Sequence, residues 1–335
     1  MNTAIFSTKP YDREYLGSIN KEFGHELVFF EGRLDEQTCR LAEGFSAICV
    51  FVNDELTENV LACLSRHGIR LVALRCAGFN NIDLAAAQKF SITVARVPAY
   101  SPASISEFTV GLMLTLSRKI HRACNRTREG NFALDGLLGF DLNDKTVGVV
   151  GTGKIGFGTA KILLGFGCKV LASDVYENEQ LKSLGVNYVS REELFRQSDI
   201  ITLHCPLLPD TRHLINAQTI ESMKQGVMLV NTSRGELLDT EAAIVGLKSG
   251  KIGSLAIDVY EEEADFFFED FSSRVIQDDM LARMLTFPNV VVTGHQAFFT
   301  DEVMQAIARR TLENIAAFEQ GQTPPGAVSA PPRPV

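Results

Sequence analysis

Apolar and polar positions along the chain follow two alternating patterns. Short apolar or β-branched runs, typical of buried strands, alternate with segments in which apolar residues recur at the helical period. In the first hundred residues the strand candidates are 4–7, 26–30, 47–52, 70–74 and 92–95. A second series begins at Thr146, with strand candidates at 147–150, 169–173, 200–204, 227–231, 254–258 and 290–293. This alternation predicts an α/β fold with parallel sheets covered by helices, in two successive units.

The segments between and after these strands predict helices. The helix candidates are 36–43, 57–66, 84–89, the segment that follows the glycine-rich residues 151–156 and continues to 166, and 301–319. Ser101 before Pro102 marks a further helix start, and the pattern continues to Arg128, so we predict one helix of about 25 residues that connects the two units. Residues 321–335 contain five of the eleven prolines without periodicity. We expect this tail to be an extended surface segment or disordered.

The composition is that of an ordinary globular protein and excludes several classes of partner. A length of 335 residues corresponds to about two domains. The formal net charge of −9 and a pI near 5.3 give no cationic surface for nucleic acid or anionic lipid. We therefore expect neither a nucleic-acid partner nor a membrane partner.

The cysteines favour a reducing compartment. They form no C-x-x-C pair, and most lie inside apolar runs, so we interpret them as buried free thiols and expect no metal site. The N-terminal residues include charges before any apolar stretch of signal-peptide type, and the expected location is the cytoplasm. The seven residues concerned are Cys39, Cys49, Cys63, Cys76, Cys124, Cys168 and Cys205.

The strand at 147–150 runs directly into a glycine-rich turn. Residues 151–156 read GTGKIG, and helix-period residues follow. A strand before the turn and a helix after it form the context in which G-x-G-x-x-G binds a dinucleotide; without that context the pattern is often a plain turn. Gly151 permits the tight turn, Gly153 admits a pyrophosphate, and Gly156 lets the helix pack closely. The N–H groups at the start of the helix would bind the phosphates.

An acidic residue ends the next strand of this unit. Asp174 follows the strand at 169–173, at the position from which a carboxylate accepts hydrogen bonds from the adenosine ribose. The same carboxylate would repel the 2′-phosphate of NADP, so the predicted cofactor is NAD. The first α/β unit lacks this motif and must have another role.

Three polar residues follow strands of the second series, which is where open α/β sheets bind ligands. They are Arg234 after the strand at 227–231, Glu263 after 254–258 and His295 after 290–293. Taken singly, Arg234 could be a solvated surface residue, Glu263 a surface acid and His295 a structural histidine. Their convergence beside a dinucleotide motif favours a catalytic site instead.

Their chemistry fits the interconversion of a 2-hydroxy acid and a 2-keto acid. Such a reaction needs a group that moves the hydroxyl proton while hydride moves between carbon and nicotinamide. Histidine titrates near neutral pH, and a neighbouring carboxylate favours its protonated form. A guanidinium can bind the substrate carboxylate and polarise the carbonyl. His295, Glu263 and Arg234 can fill these three roles.

With these residues, the sequence resembles a known family, the D-specific 2-hydroxyacid dehydrogenases. Within that family it is most similar to the NAD-dependent enzymes that form D-lactate. The resemblance covers nearly the whole chain. Its most specific motifs are GFNNID at 78–83, VPAYSP at 97–102, the turn at 151–156, HCPL at 204–207, NTSRG at 231–235, DVYEEE at 258–263 and GHQAFFT at 294–300. The family's catalytic arginine, glutamate and histidine fall on Arg234, Glu263 and His295.

The resemblance implies a particular domain organisation and further site residues. It implies two doubly wound parallel-sheet domains: a flavodoxin-like substrate domain formed by 1–100 and 299–335, and an inserted Rossmann NAD-binding domain at 101–298, with the active site in the cleft between them. The substrate contacts that it implies are Ala77, Gly78, Tyr100, Arg234, His295 and Phe298. The cofactor contacts are Gly151, Gly153, Lys154, Ile155, Gly156, Asp174, Cys205, Pro206, Thr232, Ser233 and Asp258.

The implied activity is the reversible reduction of pyruvate to D-lactate by NADH. Phe298 and Phe299 would narrow the pocket, and the phenylalanine-rich run at 265–271 is similar to an insert of the lactate-forming enzymes. Two alternatives stay open: a preference for bulkier 2-keto acids, and an NAD(H)-sensing protein similar to the corepressors of this fold. The family also implies a homodimer or homotetramer.

Overall fold

The computed structural model describes residues 1–98 and 101–329. Its chain separates into two compact units, one formed by Met1–Ser101 with Phe299–Val335 and the other by Pro102–Phe298. Helices α1–α12 and strands β1–β13 are numbered below in chain order. Tyr100, which we predicted to contact the substrate, lies outside the described residues.

The first unit is built on a six-stranded sheet. Its strand order is β13-β5-β4-β3-β1-β2, and all neighbours are parallel except β13, which runs antiparallel to β5. The strands are β1 (Asn2–Ile5), β2 (Glu26–Phe29), β3 (Ala47–Val50), β4 (Leu71–Leu74), β5 (Thr93–Arg96) and β13 (Ala327–Val328). The helices are α1 (Pro10–Ile19), α2 (Glu58–Arg66), α3 (Leu84–Lys89) and α12 (Asp301–Glu319). The order 2-1-3-4-5 of the first five strands is flavodoxin-like.

The second unit contains a seven-stranded, all-parallel sheet in the order β12-β11-β10-β9-β6-β7-β8. Its strands are β6 (Thr146–Val150), β7 (Lys169–Ser173), β8 (Asn187–Tyr188), β9 (Ile200–Leu203), β10 (Val227–Asn231), β11 (Ile252–Ile257) and β12 (Val290–Val292). Its helices are α4 (Pro102–Ser117), α5 (Ile120–Arg128), α6 (Lys154–Gly165), α7 (Glu179–Ser183), α8 (Arg191–Gln197), α9 (Ala217–Ser222), α10 (Thr240–Ser249) and α11 (Asp279–Leu285). The order 3-2-1-4-5-6 of its first six strands is that of the Rossmann fold.

The predicted α/β class with two parallel sheets is therefore confirmed. Central strands such as β3 and β4 are apolar and buried along their whole length, because helices cover both faces of the sheet. Helices carry their own end signals as well. In α2 the Thr57 hydroxyl accepts a hydrogen bond from the Val60 N–H, while Leu61 and Leu64 face the core.

Several predicted elements differ from the structure. The long helix predicted from residue 101 to Arg128 is two helices, because Lys119 adopts a left-handed backbone conformation (φ 51°) that ends α4 and precedes α5. The helix predicted at 36–43 is only a 3₁₀ turn, Cys39–Ala42. The two-residue strands β8 and β13 were not predicted, and β13 pairs part of the proline-rich tail with β5.

The interpretation of all seven cysteines as buried free thiols is wrong. Cys39 and Cys63 form a disulfide, and Cys124 is exposed. The pairing was not predictable from spacing, because 24 residues separate the two cysteines. Packing of α2 against the 3₁₀ turn at Cys39–Ala42 brings them together. Across residues 1–98 and 101–329, every helix is too short or too polar to cross a bilayer.

Candidate active site

The glycine-rich turn has the geometry of a dinucleotide-binding turn. Gly151 follows β6 with a φ of +89°, and a Cβ added there would lie 2.6 Å from the Cys205 nitrogen. A Cβ on Gly156 would collide with the Gly151 carbonyl oxygen, so glycine is required where α6 packs on the turn. Gly153 faces open space. The N–H groups of Lys154 and Ile155, in the first turn of α6, lack partners within the helix and can bind phosphate.

Asp174 stands at the end of β7, beside this turn. One of its carboxylate oxygens accepts hydrogen bonds from the Thr152 N–H and, at 3.0 Å, from the Thr152 hydroxyl. The other accepts a long hydrogen bond of 3.3 Å from the Tyr176 N–H, in an exposed segment. The carboxylate is thus fixed at the edge of the sheet, and its second oxygen retains capacity for a ribose hydroxyl.

Residues beyond β9 and β10 form the wall next to the turn. The Ser233 hydroxyl donates to the Cys205 carbonyl at 2.8 Å, and the hydroxyls of Thr232 and Thr109 are 2.8 Å apart. Burial raises the pKa of the Cys205 thiol to about 11, so this cysteine is protonated near neutral pH and is unsuited to be a nucleophile. Pro206 follows in the same segment.

The catalytic histidine and glutamate that we predicted contact each other. His295 Nδ1 lies 2.8 Å from Glu263 Oε1, and the second carboxylate oxygen of Glu263 accepts the Tyr260 N–H at 3.0 Å. His295 has a left-handed backbone conformation (φ 55°), which is uncommon outside glycine, and its N–H donates to the Asp258 carbonyl at 2.7 Å. Among the described residues, His295 Nε2 has no hydrogen-bond partner. It is therefore the ring nitrogen that can exchange a proton with a ligand.

Arg234 lies on the adjoining segment. The next residue, Gly235, is so close to the backbone of Tyr260 and Glu261 that a Cβ would collide with the Tyr260 carbonyl group. This contact places the Arg234 segment directly against the segment that carries Glu263. The Arg234 side chain is exposed and donates to the carbonyl of Ser233 at 2.7 Å, which leaves most of its donors for an anion.

Asp258 organises the turn that presents His295. Its buried carboxylate accepts hydrogen bonds from the Thr293 hydroxyl (2.6 Å), the Gln296 N–H (2.9 Å) and the Ala297 N–H (2.8 Å). Burial raises the pKa of this carboxyl group, and these three donors oppose the shift. The cofactor contact that we predicted for Asp258 stays a prediction.

Two aromatic rings flank the imidazole of His295. The ring centroid of Phe268 is 5.8 Å from that of His295, and the ring centroid of Phe298 is 6.3 Å from it in an edge-on orientation. Phe298 is buried. The imidazole therefore has apolar neighbours as well as the Glu263 carboxylate.

A second histidine–glutamate pair was missed in the sequence. His213 Nε2 lies 2.6 Å from Glu261 Oε1, and the other carboxylate oxygen accepts the Thr240 N–H at 3.0 Å. Glu261 stands two residues before Glu263, so one turn binds two histidines. The acidic run at 261–263 was the available signal, but its histidine partners come from distant parts of the chain.

The predicted substrate loop lies in the first unit. Ala77 and Gly78 follow β4 and are partly exposed. Their carbonyl oxygens accept hydrogen bonds from Arg96 and the Cys76 thiol, whereas their N–H groups have no partner among the described residues. The residues described contain no cluster of acidic, cysteine and histidine side chains suited to a metal ion.

Comparisons with known proteins find relatives that match nearly the whole chain. The family model described as D-isomer specific 2-hydroxyacid dehydrogenase, NAD binding domain, matches residues 110–297. D-lactate dehydrogenase of Escherichia coli (strain K12) is 52% identical over 325 residues, covering 97% of this chain and 99% of its own. The apo-structure of D-lactate dehydrogenase from Escherichia coli superimposes with a TM-score of 0.91 at 48% identity, covering 98% of this chain and 100% of its own. The structure described as the pyruvate reductase of Chlamydomonas reinhardtii gives 0.93 at 42% identity, covering 97% and 98%.

The chain belongs to the D-isomer specific 2-hydroxyacid dehydrogenase family. It is an NAD-dependent oxidoreductase that acts on D-2-hydroxy acids, and NAD is its cofactor. The glycine-rich turn fits this cofactor, because Gly156 lets α6 pack closely on the turn and Gly153 leaves the backbone open at the start of α6.

Proposed function

We propose that this protein reduces pyruvate to D-lactate, with His295 as the acid–base group, Glu263 as its partner and Arg234 as the anion-binding residue. The observation that carries the proposal is the His295 Nδ1 to Glu263 Oε1 contact of 2.8 Å, with Nε2 unpaired among the described residues. The likeness to proteins described as a D-lactate dehydrogenase and a pyruvate reductase supports the choice of substrate.

The proton moves through His295. NADH, when bound, supplies the hydride that is added to the keto carbon. As the carbonyl oxygen gains negative charge, protonated His295 donates its Nε2 proton to it, and Glu263 stabilises the positive imidazolium beforehand. Arg234 binds the carboxylate and polarises the carbonyl. In the reverse direction, neutral His295 accepts the hydroxyl proton.

We propose further contacts from the resemblance. Ala77, Gly78, Tyr100 and Phe298 would contact the substrate, and the unpaired N–H groups of Ala77 and Gly78 suit a carboxylate. We propose that NAD contacts the turn at 151–156, Asp174 and Asp258. It would also contact the wall formed by Cys205, Pro206, Thr232 and Ser233. Phe268 and Phe298 beside the imidazole favour a small substrate.

Steady-state kinetics over a series of 2-keto acids tests the substrate. We expect the highest kcat/KM for pyruvate, and a higher value for 2-ketoisocaproate or phenylpyruvate would overturn the assignment. NADH oxidation with pyruvate at an enzymatic rate would also exclude a purely NAD(H)-sensing role. Binding of NADH without turnover of any 2-keto acid would support that role instead.

We also propose that the chain forms a homo-oligomer through the segment at 129–141, next to α5. Phe132, Leu134 and Leu138 are 77%, 82% and 88% exposed there, more apolar surface than one loop of a monomer usually presents to water. Light scattering after size-exclusion chromatography tests this. We expect a dimer or tetramer that the double substitution Leu134→Asp with Leu138→Asp dissociates, and a monomeric wild type would contradict the proposal.

A cytoplasmic location is proposed on the cysteine chemistry. Cys49, Cys76, Cys124, Cys168 and Cys205 are free thiols, the state that a reducing compartment maintains. The Cys39–Cys63 disulfide is an exception to this pattern. Subcellular fractionation with an antibody to the chain tests the location, and recovery outside the cytoplasmic fraction would contradict it.

A further inference from the structure

The loop after β4 presents N–H groups because its carbonyl groups are bound from the other side. Arg96 Nη1 donates to the Ala77 carbonyl oxygen at 2.6 Å, and the Cys76 thiol donates to the Gly78 carbonyl oxygen at 3.2 Å. No described residue accepts a hydrogen bond from the N–H of Ala77, Gly78 or Phe79. Because the Cys76 carbonyl accepts from the Val97 N–H at 3.1 Å, three successive peptide groups have satisfied carbonyls and unsatisfied amides.

Peptide planarity links these two facts. The carbonyl of Ala77 and the N–H of Gly78 belong to one planar trans peptide group, in which they point in opposite directions. A donor that fixes the Ala77 carbonyl therefore also fixes the direction of the Gly78 N–H. Because the donor is a charged guanidinium, it polarises the peptide group and makes that N–H a better donor to an anion.

Hydrogen bonds hold both ends of the loop, at Arg75 and at Asn81, and so limit the movement of the peptide groups between them. The Arg75 N–H donates to the Val50 carbonyl at 3.1 Å, where the loop leaves β4. At the other end, the Asn81 side-chain amide donates to the carbonyls of Phe51 and Asp54, at 2.9 Å each. Neither anchor determines the orientation of the Ala77–Gly78 peptide itself. The Arg96 contact does.

Arg96 is itself held in place. It is the last residue of β5, its N–H donates to the Gly326 carbonyl at 2.8 Å, and its carbonyl accepts from the Asn314 side chain at 3.0 Å. The guanidinium lies 4.9 Å from the centroid of the Phe79 ring, so it also packs on the loop that it bonds. A half-buried arginine with backbone and side chain fixed is suited to positioning a neighbour.

We propose that Arg96 is a positioning residue for substrate binding, which aims and polarises the Gly78 N–H toward the carboxylate of a 2-keto acid. The inference rests on the proposed function of the Ala77–Gly78 loop as a carboxylate-binding loop. Arg96 acts through the peptide group and adds positive charge beside an anion site in a chain whose net charge is −9. Its effect falls on substrate affinity and not on the proton transfer at His295.

The test compares Arg96→Met, Arg96→Lys and a control variant, Arg70→Met. Arg70 lies at the opposite end of β4 and its guanidinium also donates to backbone carbonyls, those of Ile69 and Ser65. For Arg96→Met we expect the KM for pyruvate and the Ki for oxamate to rise about tenfold, the effect of one charged hydrogen bond, with kcat within about twofold of the wild type. Arg96→Lys should recover part of the loss, because an ammonium can still donate to the Ala77 carbonyl. Arg70→Met should match the wild type.

Each outcome separates the inference from the proposed function. Unchanged KM and Ki in Arg96→Met would overturn the inference while leaving the proposed function intact. An equal loss of kcat and of NADH affinity in both Arg96 variants would show a merely structural role, which also overturns it. If Arg96→Met does not fold, Arg96→Lys decides the question: a raised pyruvate KM at unchanged kcat and NADH Kd supports the inference, and wild-type values overturn it. A wild type that neither reduces pyruvate nor binds oxamate overturns the proposed function itself, and this inference with it.

Discussion

The carboxyl ends of the two parallel sheets carry similar polar residues, but they use them differently. At the edge of the six-stranded sheet, Arg75 is 2% exposed and binds Asp12, with Nε 3.0 Å from the carboxylate. Asp54, equally buried, accepts hydrogen bonds from the Ser7 hydroxyl (2.6 Å) and the Leu34 and Phe51 N–H groups (2.7 and 2.6 Å). Burial removes these charges from solvent, although Arg75 Nη1 has no hydrogen-bond partner among the described residues.

At the edge of the seven-stranded sheet, the corresponding groups stay partly open. Arg234 is exposed and donates only to its neighbouring Ser233 carbonyl among described residues, and His295 uses one ring nitrogen and leaves the other. An arginine and a carboxylate stabilise structure when each satisfies the other inside the protein. They are available for chemistry when the protein orients them and leaves a donor accessible from solvent.

The largest effect is expected from His295→Ala. Removing the group that we propose to move the proton should lower kcat for pyruvate reduction by about 10³-fold, while the NADH Kd changes less than threefold. Stopped-flow turnover and fluorescence titration with NADH measure the two quantities. Residual activity above about a tenth of the wild type would show that the open edge of the second sheet is not the reacting site.

Substitution of the buried Arg75, at the carboxyl end of the six-stranded sheet, should lower the stability of the protein. Arg75→Met leaves Asp12 and Asp54 buried without their cation and should lower the free energy of unfolding by about 3 kcal/mol. The matched substitution on the open edge, Arg234→Met, should change stability by less than about 0.5 kcal/mol while it abolishes most activity. Urea denaturation and turnover are measured on both variants. Equal stability losses would remove the distinction between the two edges.

Glu263→Gln tests the contribution of the Glu263 charge to the proposed role of His295. The substitution keeps a hydrogen-bonding group near His295 Nδ1 but removes the negative charge that favours the imidazolium. The kcat of pyruvate reduction should fall about tenfold at neutral pH, while the NADH Kd changes less than threefold. A kcat equal to that of the wild type would remove Glu263 from this role.

The smallest effect concerns a third histidine in the second unit, His204, which is neutral and part of the structure. Burial lowers the pKa of His204 to about 3, and its Nε2 lies 3.0 Å from the Thr202 hydroxyl. Since the unfolded chain gains a proton on this residue below about pH 6.5 and the folded chain does not, stability should fall by about 1 kcal/mol between pH 7 and pH 5.5. His204→Gln should flatten this dependence in urea denaturation. An identical slope would assign the acid sensitivity to other groups.

Much of the fold followed from local patterns in the sequence. The predicted strands at 169–173 and 227–231 have the observed bounds, and the helix at 301–319 is α12. Apolar runs and helical periodicity are local properties, so they survive in any tertiary context. The break of the long helix at Lys119 has no comparable local signal, because it is not a glycine or a proline.

The site was predictable where residue type and strand position coincide. The contact between Glu263 and His295 was expected, since both follow neighbouring parallel strands. The His213–Glu261 pair and the Arg96 contact with Ala77 were not, because nothing in the sequence relates those residues to each other. The same reason accounts for the wrong interpretation of Cys39 and Cys63.

The sequence by itself determined the α/β class and the glycine turn for NAD, and it predicted three residue types suited to proton transfer and anion binding. These features follow from the periodicity of apolar residues, the backbone freedom of glycine and the chemistry of side chains, which are local properties of the sequence. Only the tertiary structure decided which polar groups are buried with partners and which remain accessible to a ligand. That distinction depends on distances between residues far apart in the chain, as Arg75 with Asp12 and His295 with Glu263 show. Burial and pairing, rather than residue type, separate a structural charge from a reactive one.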